Sequence, residues 1–386
     1  MRIVLVADIL IRDFDGCNRT LFHILDKSEI AGFEFLIIAG KVKGVSSKFK
    51  VVRVPNVTLP INKDYQIAFP YFLKQGVIES IKEFKPDIVH ITSPTPLGNF
   101  VQNIAKDENL PVSTIYHTNF LSYLDYYFSS NSLIIKSLRK ILVKTYVEFY
   151  NQCNIILCPT ESMKTHLIDE GVKEDLISIW ERGIDQSIFN VEAKDKRLIK
   201  SIFNNNNPAI LFASRLVWEK NLKTLVKIYE SSSKSFLPYN FLVVGDGMAS
   251  NELKKLMPNA HFTGKVSQDD LSRYYASADV FVFPSVTETY GNVMIEAMNC
   301  GLPVVAANGG SNVDIVSNCF NGMLVDPFTE EEYLNGIKIV LSNREVFRRN
   351  AQYSYNNLSW ETLILKLKNK LSVAAMDYNY RNYLKI

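Results

Sequence analysis

Short apolar runs alternate with segments of helical periodicity along almost the whole chain, and no other feature narrows the fold as much. RIVLVAD (2–8), EFLIIAG (34–40), DIVHIT (87–92) and IILCPT (155–160) read as buried strands. Amphipathic stretches such as 69–84 lie between them. The second half repeats the theme with AILFAS (209–214), NFLVVGDG (240–247), AHFTGK (260–265), DVFVFPS (279–285), LPVVAAN (302–308) and GMLVDP (322–327). Helical patterns fill 221–230, 267–277, 292–299 and 330–341. Strands alternating with helices build right-handed βαβ units and parallel sheets.

At 386 residues the chain is too long for one core, and two domains of roughly 150 to 200 residues are expected. FNNNNPAI (203–210) is poor in element formers and reads as a turn or linker. The expected architecture is therefore α/β, with two Rossmann-like doubly wound domains, 1–200 and 201–359, facing across an interdomain cleft. Ligands of open parallel sheets bind beyond the carboxyl ends of the strands, so the site is expected in that cleft.

Composition removes several classes. The formal charge is only +3, which leaves no global signal for nucleic acid or another polyanion. MRIVLVADIL is apolar but short and contains Asp8, so it reads as a first strand rather than a signal peptide. No run of about 18 apolar residues offers a membrane span. Cys17, Cys153, Cys158, Cys300 and Cys319 lack CxxC spacing. They read as free thiols of a cytoplasmic protein, with no zinc expected.

The chemistry concentrates in the second half. Arg215 stands just past a strand end and Lys220 five residues on, where a helix begins. Two cations beside a helix start suit a phosphate or diphosphate; a solvated surface pair is the other reading. Gly245 and Gly247 in VVGDGM allow either a close backbone approach or an ordinary turn. In SVTETYGNVMIEAMNCG (285–301), Gly291 can open a helix and Gly301 can close it. N–H groups near Gly291, Asn292 and Val293 would then form a second anion cradle. Glu296 would lie about 7.5 Å further along the axis, with Glu288 on the other side of the cradle. Ionised carboxylates accept hydrogen bonds from paired hydroxyls. One on each side of a diphosphate suits a nucleotide sugar, with ribose at one end and hexose at the other.

These residues resemble the retaining family-4 glycosyltransferases of the GT-B fold. The matching features are Glu-x7-Glu at Glu288 and Glu296, the cation pair at Arg215 and Lys220, and the VGDG turn at Val244–Gly247. In the first half, DFDGCNRTL resembles the family's loop after the first strand, which implies Gly16 beside the diphosphate. IYHTNFLSY resembles the loop whose histidine, His117, approaches the hexose. ERGIDQSIF (181–189) resembles the turn before the interdomain linker, and Trp360 the start of a helix (360–386) that crosses back to the first domain. The motifs are most similar to GDP-mannose-dependent α-mannosyltransferases. NGGSNVD (308–314) departs from the family's paired-glycine loop and leaves the role of Asp314 open, and Asp15–Gly16 stands where a double glycine is frequent.

The resemblance implies transfer of a hexose, mannose first, from a nucleotide-diphosphate sugar to a lipid-linked or glycan acceptor, with retention and without a metal or other cofactor. Arg215, Lys220 and the helix start would stabilise the leaving diphosphate. Glu296 would hold the ribose, Glu288 and His117 the hexose, and backbone around Gly264–Val266 the base. The loops 56–70 and 118–132 are expected to shape the acceptor pocket. The helical pattern 132–150 carries Ile134, Leu138, Ile141, Leu142, Tyr146 and Phe149 on one face and Lys136, Arg139, Lys140 and Lys144 elsewhere. It reads either as a core helix with a solvated basic face or as a contact with an anionic membrane surface. Other classes fit less well. A dinucleotide oxidoreductase would need GxGxxG after the first strand, where the chain has one glycine. A periplasmic sugar-binding protein leaves the paired glutamates unexplained. A UDP-sugar donor, or a phosphorylase or epimerase on the same fold, stays open.

Overall fold

A computed structural model of the chain describes residues 1–58, 66–117, 133–234, 238–355 and 358–384, with the backbone alone at 71–72 and 133–138. The chain divides into two units, Met1–Arg182 with Trp360–Ile386, and Gly183–Ser359.

The first unit forms strands β1 (Arg2–Ile11), β2 (Glu34–Lys43) and β3 (Lys50–Arg53), then a short antiparallel pair, β4 (Asn56–Thr58) and β5 (Gln66–Ala68). Strands β6 (Ile88–Ile91), β7 (Val112–Ile115), β8 (Ile155–Cys158) and β9 (Ile177–Ile179) follow. The parallel sheet runs β3-β2-β1-β6-β7-β8-β9. Both faces of β1, β2, β6 and β8 are largely buried, which is why these four read as continuous apolar runs, whereas buried β7 carries Ser113 and Thr114 and does not. Ile3, Leu5, Phe35 and Ile37 face the helix Gly16–Asp26 and the terminal helix Trp360–Tyr383. Val4, Val6, Leu36 and Ile38 face the other way, onto the helices Lys74–Phe84, Pro96–Asp107 and Leu133–Asn151. The terminal helix is pinned by aromatics: Trp180 Nε1 donates to Leu363 O at 2.9 Å, and Trp360 stacks on His23 at 4.3 Å between centroids. Each buried tryptophan removes about 150–250 Å² from water, worth about 4–6 kcal/mol.

The second unit contains β10 (Ala209–Ala213), β11 (Asn240–Val244), β12 (His261–Gly264), β13 (Val280–Phe283), β14 (Val304–Ala307) and β15 (Gly322–Val325). Its parallel sheet runs β12-β11-β10-β13-β14-β15, so the direction of winding reverses between β10 and β13. In such sheets that reversal opens a crevice at the carboxyl ends of the two central strands.

The boundary between units differs from the expected 200. Ile184 and Phe189 belong to the second unit's core, Ser272 Oγ donates to Ile188 O at 2.6 Å, and Asp195 N donates to Ser277 Oγ at 2.9 Å. The asparagine run is not a linker. Asn204 ends the short helix Leu198–Phe203 in the left-handed region, at φ 53°. Asn240 Nδ2 donates to Asn205 Oδ1 at 2.8 Å and to Asn207 O at 3.0 Å. Asparagine tolerates the left-handed region and closes local turns, so the composition break marks the entrance to β10 within one unit.

Candidate functional site

The reversal between β10 and β13 brings two of the sequence-selected residues into contact. After β10 the chain makes a single 3-10 turn, Trp218–Lys220, and Lys220 Nζ reaches Glu288 Oε1 at 2.6 Å. Lys220 is only 6 % exposed. Ser285 Oγ donates to the same carboxylate oxygen at 3.3 Å. Burial pushes the Glu288 carboxyl up, but the charge and hydrogen bond of Lys220, the charge of Arg215 and the Ser285 hydroxyl outweigh it, so Glu288 sits below its ordinary range and stays ionised. Arg215 lies at the open side, 45 % exposed, with Nη2 3.4 Å from the buried Glu219.

Three residues that sequence reasoning passed over hold this pair. Asn221 sits at φ 54°, and its Nδ2 donates to Pro284 O at 3.1 Å and to Pro327 O at 2.7 Å. One amide thereby ties the turn carrying Lys220 to the loops after β13 and β15. Asn312, fully buried, donates from Nδ2 to Ser285 O at 2.8 Å and to Ala307 O at 3.0 Å. Gly310 at φ +57° lies where a Cβ would stand 2.6 Å from Val286 O. The NGGSN segment therefore serves as a backing for the loop that presents Glu288, while Asp314 is exposed.

The remaining selected residues of this unit stand at or after the ends of β11, β12 and β13. Gly291, at φ +53°, opens the helix Asn292–Asn299, and no side chain caps it. The N–H groups of Asn292 and Val293 thus start a helix directly after the Glu288 loop, and Glu296 is buried one turn further on. Gly245, at φ +123°, is required by close backbone packing. A Cβ there would lie 1.9 Å from Ser214 O, and one on Gly247 would lie 2.4 Å from Leu216 O. The VGDG turn packs against the backbone that carries Arg215. Gly245 N donates to Gly264 O at 2.9 Å, which joins Gly264 to the same turn, and Val266 packs on the core beyond it.

In the first unit, Gly16 opens the helix Gly16–Asp26 behind an Asp15 cap whose carboxylate accepts from Asn18 N at 2.8 Å. Cys17 Sγ stands 3.9 Å from His117 O, so this helix start and the end of β7 adjoin. His117 is buried, and Arg182 Nη2 lies 3.2 Å from its Nδ1. Arginine has only donors, so Nδ1 accepts and the ring proton sits on Nε2. Burial, the Arg182 charge and His90 together push His117 well below its ordinary value, so it is neutral. Arg182 was legible only as part of a turn motif. Thr118, Asn119 and the rest of the loop 118–132 lie outside the described residues.

The helix Leu133–Asn151 does not present its apolar residues on one face. Tyr146, Phe149 and Tyr150 are buried, whereas Ile141 is 62 % and Leu142 47 % exposed beside Lys140 and Lys144. Ile134, Lys136 and Leu138 lie outside the described side chains. Among the described residues no helix is long and apolar enough to cross a membrane.

Comparison with known proteins bears on the family and the fold. The family model described as Glycosyltransferase Family 4 matches residues 14–187, and Glycosyl transferases group 1 matches 194–357. A GDP-mannose-dependent alpha-mannosyltransferase of Corynebacterium glutamicum is 28% identical over 341 residues, covering 86% of this chain and 79% of that protein. An alpha-monoglucosyldiacylglycerol synthase of Streptococcus pneumoniae is 26% identical, covering 84% of this chain and 75% of its own length. Among solved structures, Anabaena HepE in complex with UDP-glucose superimposes with a TM-score of 0.73 at 18% identity, over 97% of this chain and 100% of that one.

Proposed function

Because the chain belongs to the glycosyltransferases of the GT-B fold, we propose that it transfers a hexose, mannose from GDP-mannose, to a lipid-linked or glycan acceptor with retention at the anomeric carbon. The observation that carries this reading is the buried Lys220 held 2.6 Å from Glu288 at the winding reversal. A lysine has three N–H donors. One meets Glu288, and the others suit the oxygens of a diphosphate. Glu288 in turn has acceptor capacity left for a hexose hydroxyl, so one contact links the phosphate grip to the sugar grip.

In the reaction the bond between the anomeric carbon and the β-phosphate oxygen breaks, and the acceptor oxygen attacks on the same face. Its proton passes to the leaving phosphate. Negative charge grows on that phosphate, where Lys220, Arg215 and the uncapped helix start at Gly291–Val293 stabilise it. These groups carry the charge that a metal carries in other transferases, and we assign no metal to the step. Glu296 binds the ribose hydroxyls. In the first unit His117, neutral with its proton on Nε2, is the hydrogen-bond donor to the sugar. The acceptor falls to the first unit, where Ile141 and Leu142 among lysines favour a lipid-linked molecule at an anionic membrane surface.

A UDP-glucose donor is the second reading, favoured by the UDP-glucose complex of HepE and the glucosyl-transferring relative. A thermal-shift panel with GDP, UDP, ADP and their sugar conjugates separates the two. Ligand at about 100 times its Kd stabilises by about 2.7 kcal/mol. GDP and GDP-mannose are expected to raise Tm and UDP not. A response to UDP alone moves the donor to the second reading, and silence from all three bases removes the transferase reading.

A further inference from the structure

The strands that carry Lys220 and Glu288 at their carboxyl ends gather a second charged cluster at their amino ends. Asp279 immediately precedes β13 and accepts from Ala209 N, the first residue of β10, at 2.7 Å. Arg344 pairs with Asp279, and Arg348 follows one turn later on the helix Arg344–Ser354. Arg348 lies over Gly301: a Cβ on that glycine would stand 3.8 Å from Arg348 Nη2 and 3.2 Å from Val191 Cγ1. Val191 begins the 3-10 turn that leads into Lys194. Three cations therefore converge on one glycine-floored corner.

The acids nearby do not match them. Asp279 is committed to Arg344 and the Ala209 amide. Asp195 turns to Arg273 at 3.2 Å and to Arg197 N at 2.9 Å. Glu345 is exposed. Arg344 Nε and Arg348 Nη1 are buried with no acceptor among the described residues. Burial first, and then Arg348 and Arg344 for Lys194, or Arg344 for Arg348, push both groups below their ordinary values, while Glu345 and Asp279 oppose this. A buried N–H without an acceptor is costly and rare, more so on a cation. The end of the helix Asn292–Asn299 beside Gly301 attracts one cation, but three exceed what a helix end accounts for.

We propose that Lys194, Arg344 and Arg348 form an anion site for a phosphate monoester or free phosphate. Asp279 and Glu345 offset part of the three positive charges, and the buried donors Arg344 Nε and Arg348 Nη1 are left for an anion. The two arginines one turn apart offer the planar donor forks that phosphate oxygens take. This site is separate from the donor diphosphate site and does not depend on it.

The test uses the full-length protein and inorganic phosphate, titrated against chloride at constant ionic strength, with Tm as readout. Wild type and Lys220→Ala are expected to gain Tm alike. Lys194→Gln and Arg348→Gln are expected to need about tenfold more phosphate for the same gain. Lys194 is on the surface side of the cluster, so its variant stays informative if Arg348→Gln fails to fold. Vesicles containing phosphatidic acid form the second arm: pelleting that Lys194→Gln abolishes identifies a lipid headgroup, and a response to free phosphate alone identifies a soluble ligand. The proposal is overturned if wild type shows no phosphate response, or if Lys220→Ala loses it while Lys194→Gln keeps it. Transfer activity followed in parallel tracks Lys220 and not Lys194, so a failure here leaves the catalytic reading standing.

Discussion

The two units reverse their winding in the same way, yet the two reversals do opposite things with their polar groups. In the first unit the reversal lies between β1 and β6. Asp8 near the end of β1 accepts from Thr95 Oγ1 at 2.6 Å and from Ala68 N at 2.8 Å, and Thr95 accepts in turn from Gly98 N at 3.2 Å. Gly40 closes in as well, since a Cβ there would stand 2.7 Å from Asp8 O. That carboxylate is spent on holding protein together. In the second unit the equivalent corner holds Lys220 and Glu288, whose remaining donors and acceptors are unspent among the described residues. Topology supplies a crevice in both, and the two differ in how much hydrogen-bonding capacity their side chains keep.

The sharpest way to break this contrast is to delete one group from each corner. Lys220→Ala is expected to lower the rate of transfer by about 100-fold or more, the cost of a lost charge contact in the transition state. Asp8→Asn is expected to leave transfer near normal and to cost about 1–3 kcal/mol of stability, as a disturbed buried hydrogen bond does. Steady-state turnover and urea melts on both variants decide it. Equal losses of turnover would mean that the first corner is also catalytic and that the contrast is false.

Acid separates the units next. Burial pushes His90 in the first unit down to about 4, from an ordinary 6.5. A group with a depressed folded value contributes fully above its unfolded value and loses that contribution as pH falls towards the folded one. His90 therefore costs the first unit about 2 kcal/mol between pH 7 and pH 5. His117, also depressed, adds to the loss in the same direction. Glu288 in the second unit lies below an ordinary 4.5, so its contribution persists through this window and fades only at lower pH. Hydrogen exchange at pH 7 and pH 5 should show protection falling across β1, β6 and β7 and holding across β10 and β13. His90→Gln should reduce the first unit's response to the part that His117 contributes. An even loss in both units would contradict the assignment.

The same contrast explains what could be read in the sequence. The four inner strands of the second sheet are visible as apolar runs because both faces are buried. The edge strands β12 and β15, though half-buried, keep Phe262 and Met323, Leu324 and Val325 in short apolar runs. Arg215, Lys220, Glu288 and Glu296 carry charges that stand out against them. The edge strands β3 and β9 of the first sheet were not visible, since Lys50–Arg53 and Ile177–Ile179 are short and only half-buried. Asn221 and Asn312 were missed for another reason. Their amides act on backbone carbonyls 63 and 106 residues away for Asn221, and 27 for Asn312, and a carbonyl leaves no trace in residue type. The only local sign at Asn221 was an asparagine just where a helix starts. Arg182 hid likewise, because its partner His117 is 65 residues distant. The domain boundary was misplaced because an asparagine run marks turn geometry, and turns occur within units as well as between them.

Asn221 offers the next test, because it does two separable things. Its backbone occupies the left-handed region, and its side chain bridges two loops. Asn221→Gly keeps the first and removes the second; it is expected to cost about 1–2 kcal/mol for the lost pair of hydrogen bonds and to lower kcat as Lys220 loosens from Glu288. Asn221→Ala removes both, and should cost about 1 kcal/mol more for an L residue at positive φ. If Asn221→Gly matches wild type in kcat, the bridge does not position Lys220.

The smallest expected effect concerns where the first unit keeps its unspent surface. Its corner is sealed, but Ile141 and Leu142 stand exposed on the helix Leu133–Asn151 beside Lys140 and Lys144. An exposed isoleucine–leucine pair flanked by lysines suits the boundary of an anionic bilayer, where each lysine contributes about 1 kcal/mol. Lys144→Gln should therefore weaken sedimentation with phosphatidylglycerol vesicles about fivefold, and the loss should shrink as salt is raised because the attraction is screened. Ile141→Ser should weaken it independently of salt, since burial of apolar surface is not screened. Transfer to a soluble acceptor should be untouched by either change, because neither residue belongs to the Lys220–Glu288 corner. A protein that ignores the vesicles at low salt would leave this helix as a packing element with a solvated face, and the first unit's acceptor surface would have to be sought elsewhere.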